Sequence, residues 1–110
     1  MKETYLGELE ELVLLTILSE DNKTHGVIIQ EKLKEDLNRR TSRGSLHTLL
    51  SRLEAKNYLV SELGDPSPTR GGKSKKLFSV TSAGKEALSI AKSMRDRYYK
   101  VIPIFKFSWS

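Results

Sequence analysis

Residues 42–57, SRGSLHTLLSRLEAKN, carry the pattern from which the fold can be read. Leu46, Leu49, Leu50 and Leu53 fall at i, i+3, i+4 and i+7, one apolar stripe at helical period. Gly44, Thr48, Ser51 and Ala55 point the opposite way, flanked by His47 and Arg52. That outer face is small, polar and basic, with Glu54 as the one acid near its edge. A helix that buries four leucines and turns small hydrogen-bonding residues outward suits a DNA major groove. An ordinary solvated helix face fits the same description, so the flanking chain has to decide.

On its N-terminal side lies NRRT, residues 38–41. So short a connection makes this helix the immediate neighbour of the one before it, as in a helix-turn-helix. Ser42 is the expected N-cap. Arg39, Arg40 and Arg43 cluster where the helix's free N–H groups would point, an arrangement that attracts phosphate through donors and dipole together.

On its C-terminal side the period changes. Residues 58–63, YLVSEL, alternate as a strand does, with Leu59, Ser61 and Leu63 on one side and Val60 and Glu62 on the other. Residues 64–74, GDPSPTRGGKS, are a loop by their prolines and glycines. Residues 75–80, KKLFSV, form a second strand, with Leu77 or Phe78 inward beside Val80. The result is a hairpin whose tip and return carry Arg70, Lys73, Lys75 and Lys76. Residues 39–76 hold nine basic residues against three acids, a net charge of +6, while the whole 110-residue chain carries +5. The basic character is therefore concentrated in the hairpin and the helix before it. Such concentration favours an anionic partner, nucleic acid first.

The remaining segments complete the frame. A first helix is expected over residues 7–19, apolar over a wide arc through Leu9, Leu12, Val13, Leu15, Ile17 and Leu18, and hence central to the core. Residues 1–20 carry one lysine against five glutamates. That acidic surface should face away from DNA or cover a basic partner surface, unless it is simply a solvated N-terminal face favoured by the helix dipole. A second helix is expected over residues 25–38, capped by Thr24 and stacking Ile29, Leu33 and Leu37. Gly26 in its first turn either admits a neighbouring helix or is merely tolerated there. A long last helix should run from Thr81 or Ser82 as N-cap to about Val101. Ala83, Ala87, Ile90, Met94, Tyr98 and Val101 form its stripe, widened by Leu88 and Ala91. At about five turns it exceeds what a small domain needs to close its core, and a second copy of the chain is the economical partner. The stripe could instead pack back on the first helix. Pro103 ends the helix, and residues 103–110 form an apolar-aromatic tail.

Several function classes are disfavoured. With no cysteine there is no disulfide scaffold and no thiolate zinc site. His25 and His47 lie on different helices without paired-ligand spacing, so no metal is expected. No phosphate-binding glycine loop is present: Gly71-Gly72-Lys73 lacks both spacing and context. His25 fits a capping or packing role better than that of a base. Neither an enzyme nor a cofactor is expected. No run approaches the ~20 apolar residues of a membrane span, and MKETYLGELEE is acidic where a signal peptide would be basic and then apolar. A cytoplasmic protein without a membrane partner is the expectation.

Helix, helix, helix, strand, basic loop, strand, long helix is the order of a winged helix-turn-helix with a C-terminal helix, a mainly α fold with a small β-hairpin (α+β). The residues resemble the PadR family of bacterial transcriptional regulators. The matching pieces are Leu6-Gly7 with Leu14-Leu15, His25-Gly26, Ser42-x-Gly44-Ser45-Leu46 with Leu49-x-x-x-Leu53-Glu54, Arg70-Gly71-Gly72-Lys73, and Phe78-x-Val80-Thr81-x-Ala83-Gly84. They extend in order to about Tyr99. Two positions depart: the family pattern commonly has Tyr after His-Gly and after Gly-Thr-Leu, where this chain has Val27 and His47.

The resemblance implies a short branch of the family that dimerises through the last helix. It implies a repressor on a palindromic operator, sometimes relieved by a small aromatic or hydrophobic effector. The expected division is residues 1–80 for DNA binding, 81–102 for dimerisation and 103–110 as tail. Double-stranded DNA would meet Arg39, Arg40, Ser42, Arg43, Ser45, His47, Thr48, Ser51 and Arg52, and on the hairpin Arg70, Lys73, Lys75 and Lys76. Ala87, Ile90, Ala91, Met94, Tyr98 and Val101 would form the homodimer seam. An effector cleft could be lined by Ile90, Met94, Tyr98 and the first helix. Arg52 is the one strong base reader on the outer face, so phosphate and shape readout should outweigh base readout. The alternative is a winged-helix interaction module whose basic face binds an acidic protein.

Overall fold

Val13, Leu14 and Ile17 lose all solvent exposure and make the first helix, α1 (Glu8–Ser19), the centre of the core. The computed structural model describes residues 6–64 and 75–102. After α1 come β1 (Thr24–His25), α2 (Gly26–Leu37), α3 (Arg43–Ala55), β2 (Leu59–Leu63), β3 (Lys76–Val80) and α4 (Ser82–Val101). Ile29 and Leu33 of α2, the four leucines of α3, Tyr58 and Leu59, Phe78 and Val80, and Ala87 and Leu88 close around α1. The architecture is mainly helical α+β, with a three-stranded antiparallel sheet in the order β1–β3–β2.

Local chemistry sets the boundaries. Ser42 caps α3, its Oγ accepting from Ser45 N–H at 3.0 Å. Thr81 caps α4 by accepting from Gly84 N–H at 3.0 Å, and its hydroxyl donates to the Asn57 carbonyl at 2.7 Å. Gly84 must be glycine for a packing reason: a Cβ there would stand 2.5 Å from the Tyr58 carbonyl oxygen and 2.7 Å from Val80 Cγ1. The short TSAG stretch thus both starts α4 and lets it lie flat on the end of the sheet. Asn38 ends α2 in the left-handed region, φ 53°, a conformation that asparagine tolerates.

The structure corrects the reading at the start of α2. Thr24 is a strand residue rather than an N-cap, and His25 occupies the cap position without a side-chain cap bond. Thr24 pairs with Phe78 and His25 with Leu77, adding a third strand to the expected hairpin. Asn22 extends this edge with its side chain, donating to the Val80 carbonyl at 3.2 Å and accepting from Val80 N–H at 2.7 Å. Gly26 has open space where a Cβ would be, so no neighbour needs its smallness. In β2 the alternation is only partly expressed. Leu59 is buried, whereas Leu63, on the same side, is 71% exposed at the far end of the hairpin. In β3 the inward pair is Phe78 and Val80.

The glutamates of the α1 segment pair with basic residues of the same chain. Glu8 pairs with Arg39, Glu10 with Lys56 and Glu11 with Arg95, while Glu20, just after the helix, pairs with Lys32. Each pair ties the α1 segment to a different later part of the chain.

Candidate nucleic-acid interface

The α3 helix is amphipathic as its spacing requires. Leu46, Leu49, Leu50 and Leu53 are buried, and Arg43, Gly44, Ser45, His47, Thr48, Ser51 and Arg52 are exposed. The buried row fixes the helix against α2 and the sheet, so the outward row is held on a rigid element. Ser42 uses its side chain on the cap.

The cations divide into committed and uncommitted groups. Arg40 and Arg43 form no ion pair among the described residues. Arg39 reaches Glu8 at 2.9 Å, but that glutamate is 75% exposed. Such a pair is weak in water and yields readily to a phosphate. Lys76 reaches Glu54 at 3.4 Å and stands 5.7 Å from the centre of the Phe78 ring. Glu54 also accepts from Ser61 Oγ at 2.6 Å, so one carboxylate fastens the end of α3 to both β2 and β3. Lys75 Nζ lies 3.2 Å from His25 Nε2. Arg70 and Lys73 lie outside the described residues.

The fold brings the separate basic segments onto one surface. Arg43 and His47 of α3 and Lys75 and Lys76 at the start of β3 border a single groove of about 420 Å³. Arg40 and Thr41 border a second hollow with Gln30, whose amide donates to the Thr41 carbonyl at 2.7 Å. Sequence reasoning missed the clamp made by Glu54 and the pairing of the buried Glu10 with Lys56. Glu54 was visible only as an acid at the helix edge, and nothing in its spacing pointed to Ser61 or Lys76. Among the described residues no three His, Cys, Asp or Glu side chains group as metal ligands. No helix among them is long and apolar enough to cross a membrane.

At the other end of the molecule, α4 is embedded only near its start. Ala87 is 2% exposed and packs within the chain's own core, with Ile90 and Ala91 half-buried. Met94, Tyr98 and Val101 are exposed at 43%, 70% and 74%. Between them Arg95 forms a two-pronged bond to Glu11, with Nη1 donating to Oε1 at 2.7 Å and Nη2 to Oε2. This tie fixes the direction in which the helix leaves the body.

Solved structures share this arrangement. A PadR-like transcription factor from Bacteroides fragilis superposes with a TM-score of 0.71 at 24% identity, covering 84% of each chain. A PadR family regulator from Clostridium difficile gives 0.69 at 24% identity, over 92% of this chain and 98% of that one. Bacillus subtilis PadR, in complex with operator DNA, gives 0.63 at 19% identity, over 74% of this chain and 45% of that one. No curated protein matches. The profile of the transcriptional regulator PadR-like family matches residues 14–90, from the core of α1 through the hairpin and into α4. The chain belongs to the PadR-like family of transcriptional regulators.

Proposed function

We propose that the protein binds double-stranded DNA as a homodimer and represses transcription from a palindromic operator. The observation that carries this reading is the outward face of α3: small, polar and basic, rigidly backed by four buried leucines, with Arg40 and Arg43 uncommitted at its start. In this reading α3 enters the major groove, with His47, Thr48, Ser51 and Arg52 nearest the bases. Arg39, Arg40, Ser42, Arg43 and Ser45 hold the phosphate backbone. Arg70, Lys73, Lys75 and Lys76 carry the hairpin to a neighbouring phosphate or into the minor groove. The operator complex of Bacillus subtilis PadR supports the reading by its fold.

Residues 1–80 then form the DNA-binding unit and residues 81–102 the dimerisation helix. Met94, Tyr98 and Val101 supply the exposed part of the seam, continued by the half-buried Ile90 and Ala91. Dimers of this kind place their recognition helices about 34 Å apart, one turn of DNA. A gel shift on random-sequence duplex at low salt tests the reading. A retarded complex is expected, and no shift at all contradicts it. Sedimentation should give a dimer that Tyr98→Asp splits into monomers; a monomeric wild type contradicts the seam.

A further inference from the structure

Three glutamates in the first turn of α1 reach two other helices. Glu8 reaches Arg39, in the turn that leads into α3, at 2.9 Å. Glu10 holds Lys56, the residue that caps the end of α3, at 2.9 Å. Glu11 takes the two-pronged bond from Arg95, far out along α4. One turn of a core helix thus joins both ends of the helix assigned to DNA to the helix assigned to dimerisation.

The two helices depend on this turn unequally. α3 is held by four buried leucines, with or without its ion pairs. α4 has no buried residue beyond Leu88. Arg95 meets α1 seven residues further on, about 10 Å along the helix axis. Its guanidinium bonds both oxygens of a carboxylate whose residue is only 9% exposed. Two parallel bonds fix the angle of approach as well as the distance.

We propose that the Glu11–Arg95 pair is a positioning element for the operator: by fixing the angle between α4 and the body, it sets the half-site spacing that the dimer accepts. The inference rests on the DNA-binding dimer proposed above. Across a two-fold axis, a change of this angle in one protomer is repeated in the other. Recognition helices about 34 Å apart lie about 17 Å from the axis. A tilt of about 10° then moves each by about 3 Å, close to one base-pair step. The pair touches neither base nor phosphate in this reading and selects among operators through geometry alone.

The test is selection of bound sequences from a random duplex library by the full chain. Wild type should enrich an inverted repeat with one dominant spacing. Arg95→Met should enrich the same half-site over a spread of spacings. Its preference for the wild-type spacing over one longer by a single base pair should fall on the order of fivefold. Arg95→Lys, which keeps the charge without the fork, should fall between the two. The Glu11→Met, Arg95→Met double variant removes both charges, leaves neither orphaned, and should spread as Arg95→Met does. Lys92→Ala takes a cation from the same helix whose partner, Asp96, is also on α4, and should keep the wild-type spacing. Affinity for random duplex should match wild type in every variant. A single unchanged spacing in the folded double variant overturns the proposal. An equal spread in Lys92→Ala also overturns it, because charge on α4 rather than the tie would then be responsible. Loss of melting temperature and of random-duplex affinity at an unchanged spacing makes the pair structural only. A wild type that enriches no inverted repeat removes the dimer reading, and this inference with it.

Discussion

The α1 segment and the α3 helix carry opposite charge, and they use it in opposite ways. Every glutamate from Glu8 to Glu20 is paired within the chain, to Arg39, Lys56, Arg95 or Lys32. On α3 and the turn before it, Arg40 and Arg43 have no such pair among the described residues. Charge on one surface joins elements of the fold, and charge on the other is left available for a partner. A net positive charge alone would not show this, because Lys56 and Arg95 count toward the total as fully as Arg43 does.

The largest expected effect comes from removing the uncommitted cations. Replacing Arg40, Arg43 and Arg52 together with Ala should weaken binding to random duplex on the order of 100-fold or more. The melting temperature should hardly change: none of the three has an ion pair among the described residues, and Arg52 gives up only a weak pull on Glu10. A matched loss of affinity and stability would erase the distinction between the two surfaces.

Next is Lys56→Met, which removes one positive charge from the other class. It leaves Glu10, 6% exposed, without its ammonium partner. The cost should be about 1–2 kcal/mol of unfolding free energy, below the value for a fully buried pair because Lys56 is partly in water. Duplex affinity of the folded variant should be unchanged.

A smaller effect follows from pH. Burial pushes the Glu10 carboxyl up, but the Gly7 N–H and Lys56, with a weaker pull from Arg52, outweigh it and hold the group below its ordinary 4.5. A carboxyl lowered by folding stabilises the protein above its unfolded pKa, and that contribution is lost as pH falls through the folded pKa. Between about pH 5 and pH 3 the wild type should therefore lose stability more steeply than Glu10→Gln. Parallel acid-unfolding curves would show that the Glu10 pair contributes nothing. The smallest effect belongs to Lys92→Ala. Its partner Asp96 is one helical turn away on the exposed face of α4, and the melting temperature should not move.

What could be read from the sequence follows the same division. The α3 leucines, the Ser42 and Thr81 caps and the basic hairpin depend on residues within a few positions of one another, so spacing reveals them. Strand β1 is two residues long and exists through Phe78 and Leu77, more than fifty positions away. Asn22 is likewise defined by Val80, 58 positions on. The pairing of the acidic segment was hidden for the same reason. Glu11 meets Arg95 across 84 positions, and charge pattern alone cannot distinguish a paired glutamate from a solvated one. The candidate interface could be proposed from the sequence because cations close together on one helix and one hairpin are visible without reference to a distant partner. The groove could not, since its lining is assembled from α2, α3 and β3, which are far apart in sequence.

The salt dependence of duplex binding tests the central claim most directly. Log affinity for random duplex should fall linearly with log salt in the wild type. Lys56→Met should give the same slope, and the Lys73→Ala, Lys75→Ala double variant a slope flatter by about 1.8, or 0.9 for each lost phosphate contact. A wild-type slope near zero, or a double-variant slope equal to that of the wild type, would contradict the account.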